Sequence, residues 1–296
     1  MKILKVLGAM CFFYSCNAQP TQGRLKANAD DNSLLWEVSG KGLKNPSYIF
    51  GTFHLMCKDD IRFSEQLKNA VANSNLLYLE MDMDDPAIML GGLLMMNMKA
   101  GKKLQDLYSA EEYEKVAAFF KDTLHIPIGL LQRTKPFFLA ALLYPKMMTC
   151  KTVSGVEEEL MKLAKQQKKE IKGLETMEFQ SAVFDSIPYE EQAKELLKSI
   201  DSMMAYQKYF DTMISVYKTQ RLMDIEKLFK DSEFGMEAHQ DLLLNDRNKN
   251  WVTQLKTIMK NESVFVAVGA GHLVGKEGLI SLLRKEGYSL KPLFNR

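Results

Sequence analysis

Ser47-Tyr48-Ile49-Phe50-Gly51-Thr52-Phe53-His54 decides how this chain is read, together with its near-copy Phe265-Val266-Ala267-Val268-Gly269-Ala270-Gly271-His272. In each, an apolar or aromatic run ends in Gly-x-x-His. A short β-rich run bounded by glycine reads as a buried strand. The glycine lets the backbone turn or approach a neighbour closely. Each histidine then stands just past the carboxyl end of its strand, the edge of an open α/β sheet where ligands bind. The pair reads either as two halves of one site or as two unrelated core histidines closing their strands.

Working outward, Leu34 to Val38 reads as the first strand and Ser64 to Ser74 as a helix, with Ser64 as N-cap and Leu67, Ala70 and Val71 on one face. The chain returns through a strand at Leu76 to Glu80. Strand, helix, strand at this spacing is a βαβ unit, which puts Glu80 at the same sheet edge as His54. Gly155 to Lys169 reads as a helix with Glu157, Glu158 and Glu159 in its first turn and Lys165, Lys168 and Lys169 in its last, as the macrodipole favours. It leads into a third strand, Glu170 to Leu174, ending at Glu175. Val264 to Val268 is a further strand, and a helix from Glu277 to Glu286 with a short strand at Leu290 to Leu293 closes the fold. The expected class is α/β, with a mostly parallel central sheet flanked by helices and a large all-α insertion over about 86–235.

Within that insertion, Ser109-Ala-Glu-Glu112 is a capping box, Pro136 to Tyr144 a short apolar helix, and Pro188 to about Asp231 a long helix pair. The methionine-rich run Met89 to Met98 and the later Met and aromatic stripe read as core filler. His125 reads as structural. The aspartates of Met81 to Asp85 lack the glycine turn and bidentate glutamate of a Ca²⁺ loop and read as solvated acids. In a last helix, Met236 to Lys260, the residues Leu244, Arg247, Trp251, Leu255 and Ile258 share one face. Arg247 therefore points into an apolar stripe, where a guanidinium needs an anionic partner. That partner is either a core carboxylate or a group in the site.

The chain has 296 residues and is 46% hydrophobic, ample for one large domain over 33–296. Residues 1–18 read as a secretory leader: Lys2 and Lys5, then an apolar run, then Ala18 at a cleavage position. Ser15-Cys16 offers the alternative of a lipoprotein junction, and lipid on Cys16 would be the membrane's one hold on the protein. Residues 19–32 read as a flexible tether. The formal net charge of +2 includes the two leader lysines and no basic block, so nucleic acid is not an expected partner. The most apolar later run, Ala87 to Met96, is too short to span a bilayer, which takes about 20 residues. Cleavage at Ala18 leaves Cys57 and Cys150. They read as a disulfide suited to an oxidising compartment, as two free thiols, or with Cys57 as a soft ligand near His54.

Tyr48-Ile-Phe-Gly-Thr-Phe-His54, Leu76-Leu-Tyr-Leu-Glu80, Gly173-Leu-Glu-Thr176, Arg247-Asn248 with Trp251, and Val268-Gly-Ala-Gly-His272 resemble, in order, the landmarks of the TraB/GumN family, which includes the Tiki metalloproteases. The resemblance spans roughly residues 33 to 294. It implies an erythromycin-esterase/ChaN-like fold and, for the Tiki branch, a metal-dependent peptidase using both Gly-x-x-His histidines and a glutamate. The family often places an acid at Glu157, which is kept as a further candidate.

Two imidazoles and one or two carboxylates at one sheet edge are donors for a divalent transition metal, which polarises a carbonyl and activates water. The expected ligands are His54, His272 and Glu80. Glu175 is expected as ligand or general base, Arg247 as oxyanion stabiliser, and Asn248 as the residue orienting a neighbour. The Tiki resemblance implies Mn²⁺ or Co²⁺, and the donor set equally suits Zn²⁺. The sequence contains no His-Glu-x-x-His helix, Gly-x-Ser-x-Gly elbow or phosphate loop. The expected function is an extracytoplasmic metal-dependent hydrolase acting on a peptide or small molecule. The alternatives are a metal-independent esterase and a non-catalytic haem- or metal-binding protein.

Overall fold

The computed structural model describes residues 32–85, 91–92, 95–230 and 239–295. The leader, nearly all of the tether, Cys16, part of the methionine-rich run and the start of the last predicted helix lie outside the described residues.

The strands are β1 (Leu35–Ser39), β2 (Ser47–Thr52), β3 (Met56–Cys57), β4 (Leu76–Met81), β5 (Val153–Ser154), β6 (Glu170–Glu175), β7 (Val264–Gly269) and β8 (Ser289–Leu293). Six of them form one sheet in the order β6-β4-β7-β2-β1-β8, and β3 and β5 form a separate two-stranded ribbon. β6, β4, β7 and β2 are parallel, and β1 runs antiparallel to both β2 and β8. Every residue of β2 is buried, as are the first five of β7. Both therefore read as continuous apolar runs, as inner parallel strands do when both faces are covered.

The βαβ unit is present, with one addition that the sequence order hides. β2 and β4 are not neighbours: β7 enters from the far end of the chain and lies between them. Helix α1 (Glu65–Asn73) makes the connection, its first turn capped by Ser64, whose side chain accepts from the Leu67 N–H. Leu67, Ala70 and Val71 are its buried face.

The helical stretches are α2 (Ala110–Phe119), α3 (Pro136–Ala141), α4 (Tyr144–Met147), α5 (Val156–Gln166), α6 (Met177–Asp185), α7 (Tyr189–Asp201), α8 (Met203–Thr219), α9 (Leu222–Lys230), α10 (Asp246–Asn261) and α11 (Leu279–Lys285). The expected single insertion over about 86–235 is interrupted. α5 and β6 lie within that range but belong to the central layer, so the helical material forms two stretches on either side of them. Those stretches build a second apolar core around Leu104, Val116, Phe120, Leu139, Leu143 and Leu196.

The helix pair expected from Pro188 to Asp231 is three helices. The chain breaks at Ser202 and again at Gln220, whose φ of 57° is left-handed. The described part of the last predicted helix passes through a π turn over Asp241–Asn245 before its α-helical run from Asp246. α5 ends at Gln166 because Lys168 adopts a left-handed φ of 55°. Lys169 consequently leaves the helix and donates to the Ala72 and Ser74 carbonyls at the end of α1, 2.7 and 2.6 Å away. It satisfies another helix's terminus rather than its own. Among the described residues, no helix is long and apolar enough to cross a membrane.

Candidate metal centre at the sheet edge

β2 and β7 lie side by side with Thr52 opposite Gly269, so the two Gly-x-x-His segments leave the sheet at neighbouring points. β4 flanks β7 on its other side and delivers Glu80. The three meet over Gly269. A Cβ built there would stand 3.4 Å from Glu80 Oε1, 3.7 Å from His272 Cδ2 and 3.8 Å from His54 Nε2. These are ordinary contact distances, so both imidazoles and a carboxylate wall one small cradle. Gly51 serves a different purpose. A Cβ on it would lie 2.8 Å from Leu273 Cδ1 and 3.1 Å from Ala270 Cα, so its absence lets the turn carrying His272 pack onto β2.

His272 follows β7 in a single 3₁₀ turn, Ala270–His272, and is buried. Its ring lies 4.4 Å from that of Trp251, one turn along α10 from Asn248. The Asn248 amide nitrogen donates to the carbonyls of His272 and Glu277 at 3.3 and 2.8 Å. Its Oδ1 therefore faces His272 Nδ1, at 2.7 Å, and accepts the ring proton. Burial, reinforced by the Arg247 and His54 charges against the pull of Glu80, lowers His272 to about 3. The ring is thus neutral, with Nδ1 protonated and Nε2 carrying the lone pair.

His54 presents the same atom by different means. Its Nδ1 is 2.7 Å from Glu157 Oε1, which also accepts from the Thr52 hydroxyl at 2.5 Å. The protein crowded around this open side chain would lower the pKa of His54 by desolvation, but its hydrogen bond to Glu157 and the charges of Glu157 and Glu80 lift it to about 9. The ring itself is 74% exposed, whereas the Glu157 side chain is 10% exposed. Only the Nδ1 edge is anchored, and Nε2 is left toward the cradle.

Glu80 Oε1 accepts from the Gly269 N–H at 2.9 Å and lies 3.7 Å from His272 Nε2. Its Oε2 accepts from Arg247 Nη2 at 2.6 Å. Burial pushes Glu80 up, but His272, Arg247 and His54 together draw it down to about 2. Arg247 also donates from Nε to Glu175 Oε1 at 3.0 Å, from Nη2 to Glu175 Oε2 at 2.8 Å, and from Nη1 to the Leu243 carbonyl in the π turn at 3.0 Å. Its guanidinium stands 4.8 Å over the Trp251 ring. Nη1 is 3.4 Å from His272 Nε2.

The donors suit a divalent transition metal. Two imidazoles each donate Nδ1–H to an oxygen acceptor, the outer hydrogen bond that fixes a metal-binding histidine, and each turns Nε2 toward the cradle. A metal would displace the proton that His54 holds below about pH 9 and the Arg247 contact on His272 Nε2. Two ligands with bonds of about 2.1 Å at tetrahedral angles stand roughly 3.4 Å apart, close to the 3.7 Å between His272 Nε2 and Glu80 Oε1. The set is not closed: among the described residues, no three His, Cys, Asp or Glu are drawn together as tightly as a held ion requires.

The sequence matches the TraB/PrgY/gumN family over residues 34–292. This chain belongs to that family. Curated relatives of this TraB/PrgY/gumN chain include a metalloprotease TIKI homolog from Amphimedon queenslandica, 23% identical over 90% of this chain and 62% of the relative. Metalloprotease TIKI1 from Danio rerio is 20% identical over 89% of this chain and 63% of the relative. Metalloprotease TIKI2 from Xenopus tropicalis is 22% identical over 91% and 61%. The chain thus spans less than two thirds of the length of these relatives. No solved structure matches it.

In this TraB/PrgY/gumN site, the expected His54, His272 and Glu80 converge, and Asn248 orients His272. Glu175 stands apart from the cradle: Arg247 takes both of its oxygens, and Gln180 donates to Oε2 at 3.1 Å. Glu157, the further candidate, sits against His54. The Thr52 hydroxyl, which the sequence does not single out, joins the site by donating to Glu157. A hydroxyl on a fully buried strand needs a partner, and that signal was available in the Gly-Thr-Phe-His stretch. Gln180 carried no such signal.

Proposed function

We propose that this chain is an extracytoplasmic metal-dependent hydrolase acting on peptides. The observation that carries the proposal is the cradle over Gly269, where His54 Nε2, His272 and Glu80 Oε1 face one space. His54, His272 and Glu80 would hold the metal. A bound Mn²⁺, Co²⁺ or Zn²⁺ supplies Lewis acidity toward a scissile carbonyl and toward water. Glu157 and Asn248 hold the Nδ1 edges of the two imidazoles so that Nε2 faces the cradle, and His54 would release its Nε2 proton on binding the metal. Arg247, fixed on Glu80 and Glu175, holds a buried positive charge beside the cradle, where it would stabilise a developing oxyanion. Glu175 serves in this scheme as the anchor of Arg247.

The names of the curated relatives support a peptidase. The disulfide between Cys57 and Cys150 supports an oxidising, extracytoplasmic compartment. The erythromycin-esterase/ChaN-like kinship of the fold and the absence of a nucleic-acid partner belong to the same proposal, as does a leader at 1–18 or a lipid on Cys16.

The test is cleavage of a mixed peptide library by purified protein, stripped with chelator and reloaded with Mn²⁺, Co²⁺ or Zn²⁺, with products read by mass spectrometry. Cleavage restored by metal and lost in His54→Ala and His272→Ala is expected. Ester hydrolysis indifferent to chelator, or haem uptake without any cleavage, would overturn the proposal in favour of the corresponding alternative.

A further inference from the structure

The two imidazoles are held in unequal ways. His272 is wedged in the core between Trp251 and Asn248 and is 4% exposed. His54 is 74% exposed and has little packing of its own to fix its ring. What fixes it is Glu157, and Glu157 belongs to a different part of the chain.

The two segments are joined three times. Val156 N–H donates to the Phe53 carbonyl at 3.0 Å. Beyond it, β3 and β5 pair with Met56 opposite Ser154 and Cys57 opposite Val153, and Lys58 N–H donates to Thr152 O at 3.0 Å. At the outer end, Cys57 and Cys150 are joined as a disulfide with their Cα atoms 5.8 Å apart. The backbones are pressed together at the inner end, where a Cβ on Gly155 would fall 2.6 Å from the His54 carbonyl oxygen. A ribbon of two residues on each side has too few hydrogen bonds to hold by itself. It lies outside the central sheet, and the disulfide closes it covalently three residues after His54.

We propose that the Cys57–Cys150 disulfide is a positioning brace for His54: by tying the segment after His54 to the segment before Glu157, it keeps the Glu157 carboxylate on Nδ1 and so aims Nε2 into the cradle. It supplies for the exposed imidazole what burial supplies for His272. The proposal rests on the metal reading for what Nε2 does there, but not for the brace itself.

The test uses metal-free, histidine-¹⁵N-labelled protein in three forms: the oxidised chain, the chain treated with dithiothreitol, and Cys57→Ser/Cys150→Ser. Dithiothreitol gives two electrons and two protons to the disulfide, leaving two thiols, and closes to its own cyclic disulfide. NMR follows the hydrogen-bonded Nδ1–H signals of His54 and His272, assigned by Glu157→Gln and Asn248→Ala. Loss of the His54 signal in the reduced and substituted proteins, with the His272 signal retained, is expected. Persistence of both signals would overturn the brace, and loss of both would show a general prop of the fold and overturn it equally. In a separate arm, calorimetric titration with Co²⁺ should give roughly 10- to 100-fold weaker binding without the disulfide. Equal affinity in the three forms would contradict the brace. An oxidised chain that binds no Co²⁺ would overturn the metal reading, while the NMR arm still decides the brace.

Discussion

His272 Nδ1 stands 2.7 Å from Asn248 Oδ1, and the nitrogen of that amide is engaged by two carbonyl oxygens, so the amide can face the ring only as an acceptor. This contact determines which nitrogen of a buried, neutral imidazole keeps its lone pair. Asn248→Ala removes it. Metal affinity should fall about 10- to 100-fold, and stability should fall by about 1–3 kcal/mol as a buried N–H loses its acceptor. Co²⁺ titration and urea unfolding measure the two effects separately.

Arg247 is the counterion of two carboxylates with little exposure, Glu80 and Glu175. Its guanidinium is kept protonated because the hydrogen bond to Glu175 and the charges of Glu80 and Glu175 outweigh burial. Arg247→Met leaves both acids without compensation and should cost about 3–5 kcal/mol in urea unfolding. Arg247→Lys should recover only part of this, because an ammonium cannot reproduce the fork that spans both carboxylates.

Gly269→Ala places a methyl in the cradle at contact distances of 3.4 to 3.8 Å from Glu80, His272 and His54. No backbone clash accompanies it, so the thermal midpoint should stay within a few degrees of wild type. Metal binding and metal-dependent cleavage should nevertheless be lost. Unchanged binding would show that the cradle is not where the ion sits.

The second core carries a charge pair of its own. Lys135 is fully buried and its Nζ lies 2.8 Å from Asp185 Oδ1. Asp185 is further held by Lys99 at 2.9 Å and by the Tyr189 hydroxyl at 2.6 Å. Burial pushes the Asp185 carboxyl up, but the Lys135, Tyr189 and Lys99 hydrogen bonds bring it below its ordinary value. A folded pKa below the unfolded one, about 3.9, gives stability that is fully present above that value and is lost as pH falls through the folded pKa. Asp185→Asn should therefore destabilise the protein by about 3–5 kcal/mol at pH 7, and the gap from wild type should narrow below about pH 4. Denaturant melts at pH 7 and pH 3 check this.

The sheet was legible because its inner strands are buried on both faces. Val264–Gly269 and Ser47–Thr52 carry the continuous apolar run that such burial demands. The Gly-x-x-His repeats marked the sheet edge, and the helical face of Arg247 and Trp251 pointed to it. Strand order was not legible: the insertion of β7 between β2 and β4 is a long-range pairing that no local pattern encodes. The same limit hid the Glu157–His54 contact, since three glutamates in a helix's first turn already satisfy the macrodipole. It also hid which carboxylates Arg247 joins. Glu175, a strand-terminal acid expected as ligand or general base, accepts from a guanidinium arriving from a helix 72 residues along the chain. Breaks at Gln220 and Lys168 escaped because a left-handed turn at a residue other than glycine leaves little trace in composition.

The most direct measurement is equilibrium dialysis of the purified protein against Mn²⁺, Co²⁺ and Zn²⁺, followed by elemental analysis, on wild type beside His54→Ala, His272→Ala and Glu80→Gln. Close to one ion per chain in the wild type, and loss of that ion in each folded variant, is the predicted result. Binding that survives all three substitutions, or a wild-type chain that retains none of the three metals, would contradict the account.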